Sequence, residues 1–208
     1  MNYELMYNEM ISALKSVPDI TIKKSDFFLK DELLPGFMEK NKGLTGFKEE
    51  LKILNDNFFT WSFKNNKNEE WLPMGEFHFM PAEELMKQPK NHLLLSSKAA
   101  DNEKGKVYPF DDHPDGGDGM MGCLVISNDS PEISIYTENG EMFRMELDLK
   151  EYFIKTIELK AIYGWQYLFA EIDFKKPVFN TIKSDLNNRL IILNKIFPES
   201  SYSKYIIK

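Results

Sequence analysis

The sequence predicts an α+β fold: a single domain over residues 1–208, with a mainly antiparallel sheet of about six strands, mixed pairing left open, against helices from both chain ends. Three observations point there. Apolar residues recur at helical spacing near both termini, apolar and polar residues alternate through the middle, and an Asn-Gly pair joins two strand-like runs. The length suffices for one well-buried core and requires no second domain.

Tyr3, Met6, Met10 and Leu14 advance by three or four residues and stop before Pro18, which predicts a first amphipathic helix with a polar outer face. A mixed segment with Phe27, Phe28, Leu33 and Leu34 follows. Thr45 offers a cap for a helix carrying Phe47, Leu51 and Leu54 on one side and ending near Asn55 to Asn57. Phe59, Trp61 and Phe63 then alternate with Thr60, Ser62 and Lys64, the period of a strand with one buried face, and Phe77 and Phe79 repeat it. Pro81 fits the first turn of a short helix through Ala82, Glu83, Glu84, Leu85 and Met86, because a proline there sacrifices no needed amide.

Runs at 93–95, 107–110 and 123–126 read as further strands bounded by polar or glycine-containing turns. Ile133, Ile135 and Tyr136 lead through Asn139 and Gly140 to Met142 and Phe143, a hairpin signal because both central residues must tolerate positive φ. Asp148 with Glu151 resembles a capping box opening a helix through Tyr152, Phe153 and Ile157, with Gly164 as its stop. Phe179, Ile182, Leu186, Leu190, Leu193 and Phe197 make 177–197 the strongest helical pattern, closed by Pro198.

Bulk chemistry narrows the function. A hydrophobic fraction of 42% and an aromatic fraction of 13% suit a packed globule. A net charge of -7 argues against broad nucleic-acid binding, which needs clustered Lys and Arg, and leaves basic protein partners attractive. Cys123 sits alone in an apolar run and reads as a small buried hydrophobe rather than a reactive thiol. The first ten residues lack a basic region followed by an apolar one, and no later stretch approaches membrane-spanning length. The expectation is a soluble, cytoplasmic protein without membrane contact.

The most informative stretch is 107–122, where Asp111, Asp112, Asp115 and Asp118 crowd together with no local Lys or Arg, ahead of a glycine-rich exit. It admits a metal loop, an acidic contact surface or a solvated turn. As a calcium loop it partly fits, since Asp111, His113 and Asp115 alternate and Gly116 falls sixth, but the twelfth position is Gly122 where a bidentate glutamate is needed. An exposed acidic loop beyond a core strand anchored by Tyr108 and Phe110 is therefore preferred, with the four aspartates as partner-binding residues.

His78, His92 and His113 lie in three different expected elements, without metal-ligand spacing. No Gly-x-Ser-x-Gly elbow and no phosphate-cradling glycine loop ending in Lys is present. The expectation is no enzyme, no metal and no cofactor. Trp165, among Tyr163, Tyr167, Leu168 and Phe169, reads as core, as do most of the eleven methionines. Glu83, Glu84, Asp148 and Glu151 read as ordinary first-turn acids.

The order of several segments carries a family resemblance. The Phe47 to Leu54 helix leads into the Phe59, Trp61, Phe63 strand; Gly75 to Pro81 precedes an acidic helix; Tyr108 to Asp111 is an apolar strand ending in Phe-Asp; and Tyr163-Gly164-Trp165-Gln166-Tyr167-Leu168-Phe169 is a closing aromatic segment. In that order the chain resembles the SUKH superfamily, which includes Smi/Knr cell-wall assembly regulators and bacterial immunity proteins. The resemblance is strongest over 45–171 and departs at Asn55, Asp56 and Asn57, where the family often has Asn-Gly. It implies a non-enzymatic domain that binds another protein, most often an immunity protein occluding a toxin, such as a basic nuclease domain. The alternatives are an intracellular scaffold or cell-wall and stress regulator, and a metal-dependent activity at the acidic loop.

Overall fold

The computed structural model describes residues 1–33, 36, 39, 42–65, 70–82, 85, 106–115, 119–127, 130–137 and 139–208. Seven strands among them form one sheet in chain order, each antiparallel to its neighbour: β1 (Ile20–Asp26), β2 (Asn57–Asn65), β3 (Glu70–Phe79), β4 (Lys106–Asp112), β5 (Met121–Ser127), β6 (Ser130–Tyr136) and β7 (Met142–Arg144). Among the described residues four α-helices can be given ranges: α1 (Tyr3–Lys15), a one-turn α2 (Lys48–Leu51), α3 (Leu149–Glu158) and α4 (Asn180–Ile196). The α+β class is as expected. The strand added to the expected set is β1, where only Ile20 and Ile22 are half-buried, too short an alternation to stand out.

The alternation in β2 and β3 does what its period requires. Phe59, Trp61, Phe77 and Phe79 all turn to one face and are fully buried. Phe77 and Phe79 stack with centroids 4.3 Å apart, and Phe79 meets Phe153 of α3 edge-to-face at 4.9 Å. From the N-terminal side, α1 adds Tyr3, Tyr7, Met10 and Leu14 to the same core. Its start is capped by Asn2, whose side chain accepts from the Leu5 amide at 3.0 Å. From the C-terminal side, α4 inserts Leu186, Leu190 and Leu193.

Both arms of the capping box on α3 are present: the Glu151 amide donates to Asp148 at 2.7 Å, and the Asp148 amide donates to Glu151 at 3.0 Å. Its end differs from expectation. The helix stops at Glu158, not at Gly164, because the Lys160 amide donates to Ile157 O and the Ala161 amide to Thr156 O, the paired bonds of a Schellman motif. Lys160 and Ala161 are both left-handed, at φ 54 and 52.

The helix expected after Thr45 is also shorter. Thr45 lies inside a 3-10 segment (Lys42–Phe47), where its hydroxyl donates to Lys42 O, so it caps nothing, and α2 spans one turn before Asp56, at φ 58, reverses the chain into β2. In the β6–β7 hairpin Gly140 takes φ 78, and the loop is longer than the two-residue turn that an Asn-Gly pair signals. The strand expected at 93–95 and most of the short helix after Pro81 lie outside the described residues.

The sheet has a seam. β3 and β4 share only the pairs His78↔Asp112 and Phe79↔Asp111. Further along β3 the edge is occupied by residues 161–163 instead: the Glu76 amide donates to Ala161 O and the Tyr163 amide to Met74 O. Gly75 makes this approach possible, since a Cβ there would collide with the Ala161 carbonyl and the Trp61 indole. Trp61 Nε1 donates to Lys160 O at 2.7 Å, fixing the same turn from below.

Candidate functional site

The four aspartates do not form one exposed loop. Asp111 closes β4 on the core-facing side and is fully buried, which corrects its reading as a partner-binding residue. Its carboxylate accepts from the His78 amide at 3.1 Å and from the Tyr152 hydroxyl at 2.7 Å, and Gln166 Nε2 donates to that hydroxyl at 3.2 Å. Room for this network exists because residue 122 is glycine; a Cβ there would stand 2.6 Å from Tyr152 Oη. Burial pushes the Asp111 carboxyl up to about 7, against the pull of His113 and its own hydrogen bonds.

Asp112, one residue on, faces the other side of the sheet. It holds His78 Nδ1 at 2.6 Å, while Asp56 holds His78 Nε2 at 2.8 Å. The Asp112 hydrogen bond, opposed by burial and aided by Asp56, raises the His78 pKa to about 9, so the ring is a cation clamped between two carboxylates. Asp115 is exposed; it pairs with Lys24 at 3.4 Å, and its amide donates to the buried carboxylate of Glu76 at 2.8 Å. Asp118 lies outside the described residues, as does His92.

An aromatic centre joins these charges. Phe58 of β2 lies between the His78 ring, at 5.4 Å, and the Lys24 ammonium, 4.0 Å above its face. Asp26 of β1 is its cross-strand partner. Just beyond β1, Phe28 is 64% exposed. Its backbone is held: its amide donates to the buried Asn57 side chain at 2.6 Å, and its carbonyl accepts from Asn57 Nδ2 at 3.0 Å. The Asn57 side-chain amide also donates to Ile53 O at 2.6 Å, which ties the Phe28 backbone to the end of the α2 turn. Phe28 thus stands on a fixed backbone close to Asp26 and Asp56.

Asp112 and Asp115 keep a surface position, and Asp26, Asp56 and Phe28 join them. Sequence reasoning missed the last three because they come from separate segments. Trp165 is fully buried, edge-on to Tyr152 at 4.8 Å, as its apolar neighbours imply. Burial pushes the Cys123 thiol up to about 12, which leaves it protonated and a poor nucleophile. His113 is buried against Tyr163, with ring centroids 5.6 Å apart. Among the described residues no three His, Cys, Asp or Glu side chains form a metal-holding group, and no helix is long and apolar enough to cross a membrane.

No family model, curated protein or solved structure matches the chain.

Proposed function

We propose that this chain is a non-enzymatic protein-binding domain of the SUKH kind, an immunity protein that occludes a basic toxin domain with the surface around Phe28 and Phe58. The observation that carries the reading is the exposed Phe28 on a backbone fixed by Asn57, next to the strand end at Asp26 and the turn at Asp56, with Asp112 joined to Asp56 through His78 and Asp115 paired with the Lys24 that lies over Phe58. An aromatic anchor that loses little entropy on docking supplies affinity, and a rim of carboxylates steers a lysine- and arginine-rich partner while repelling acidic ones. The toxin assignment rests on the order of motifs that resembles the family; the basic character of the partner rests on the rim and on the net charge of -7.

The test is co-purification with the product of an adjacent toxin-like gene, followed by binding kinetics across a salt series. Phe28→Ala should speed dissociation at least about tenfold, and Asp56→Asn with Asp115→Asn should slow association and flatten its salt dependence. Failure to form a complex, or wild-type kinetics in both variants, would sink the proposal.

A further inference from the structure

A second feature, away from the Phe28 surface, carries an inference independent of that reading. The side chains of α1 and α3 leave a groove of about 350 Å³ between them, lined by Met6 and Met10 on one side and Ile154 and Ile157 on the other. That volume sits at the small end of ligand pockets, which run from about 300 to 1,000 Å³. Lys160 is also part of its lining.

Three observations set this lysine apart. It occupies the left-handed position of the Schellman motif, where glycine is the least strained residue and a lysine costs backbone energy, yet the side chain is there. Its ammonium has no carboxylate partner among the described residues, and what it meets is the face of Phe197 at 5.7 Å. Its backbone is locked by the Trp61 indole, so the amine is presented from a fixed base.

Glu158 acts favourably on this charge from a distance but forms no direct ion pair with it among the described residues. Glu158 lines the groove but is already engaged by Lys155 at 2.7 Å, Lys204 at 3.0 Å and the Tyr205 hydroxyl at 2.8 Å. Glu9 is exposed at the rim. Burial pulls the Lys160 pKa down, and the charge of Glu158 offsets that only in part.

We propose that this groove is a binding site for a small alkyl carboxylate, its tail against Met6, Met10, Ile154 and Ile157 and its carboxylate paired with the Lys160 ammonium. An apolar wall beside a cation that has no direct ion pair is complementary to that chemistry: the tail leaves water and the headgroup supplies a close counter-charge.

Calorimetric titration of the full chain with octanoate tests it, with octanol as the uncharged control. Octanoate should bind saturably, and octanol at least about tenfold more weakly, because it lacks the charge-assisted bond. Lys160→Asn and Lys160→Gly, both suited to a left-handed backbone, should keep or raise the melting temperature while weakening octanoate at least about tenfold. Glu9→Gln should tighten it by removing repulsion at the rim. The proposal is overturned if octanoate gives no binding at about 10 mM, if octanol binds as well, or if the folded Lys160→Asn chain binds octanoate as wild type does.

Discussion

Replacing Asp111 by Asn should change the shape of the stability–pH curve, not only its height. In the unfolded chain this carboxyl ionises near its ordinary value of 3.8, whereas in the fold burial moves it to about 7. Between those limits the native state holds one proton more than the unfolded state, so stability falls as pH rises and levels off above about pH 7. Each tenfold change in proton affinity is worth about 1.4 kcal/mol, so the loss across the window amounts to about 4 kcal/mol, a large share of the roughly 5–15 kcal/mol that holds a domain together. Asn at this position still offers an oxygen to the His78 amide but carries no titrating proton. Urea unfolding followed by the fluorescence of the buried Trp61 and Trp165, at half-unit steps from about pH 4 to pH 8, measures both proteins. The wild type minus Asp111→Asn difference should swing against the wild type by several kcal/mol between the ends of that range. A difference that stays constant with pH would refute the reasoning.

Two further outcomes follow from neighbouring geometry. Gly122→Ala places a methyl 2.6 Å from Tyr152 Oη and 3.2 Å from Asp111 Cβ, so it should lower stability by about 1–3 kcal/mol in the same urea assay, with the Asp111–Tyr152 bond displaced. His78 has its pKa raised from 6.5 to about 9, so the stability it lends is fully present below pH 6.5 and lost as pH rises through about 9; His78→Gln should flatten the curve over that window, seen by thermal melts at about pH 6 to 10.

Much of the architecture could be read from side-chain period alone. β2, β3 and β5, the α3 capping box and the α4 stripe were legible because each carries its own local signal: alternation, a cap three residues from its partner, or apolar steps of three and four. What failed locally failed for tertiary reasons. Thr45 looks like a cap but sits in a 3-10 turn, and α3 ends short of Lys160 because residues 161–163 are drawn onto β3 through Gly75, a contact between positions far apart in sequence. The acidic stretch was the hardest to read. Asp111 and Asp112 are adjacent and chemically identical, yet the pleat sends one to Tyr152 in the core and the other to His78 on the opposite face. Composition cannot distinguish them; only the register of β4 against β3 does.

The narrow pairing of β3 with β4 bears on how the chain assembles. Strands β2–β3 and β4 to β7 pair through shorter closures, whereas the β1–β2 pairing, from Asp26↔Phe58 to Ile20↔Phe63, and the two pairs that join β3 to β4 each span more than thirty residues. Asp111, at the β3–β4 joint, also ties β4 to α3 through Tyr152. Two groups of strands that share only two pairs should protect their amides in separate phases during refolding, which pulse-labelled hydrogen exchange would resolve, with His78 and Asp112 among the last to close.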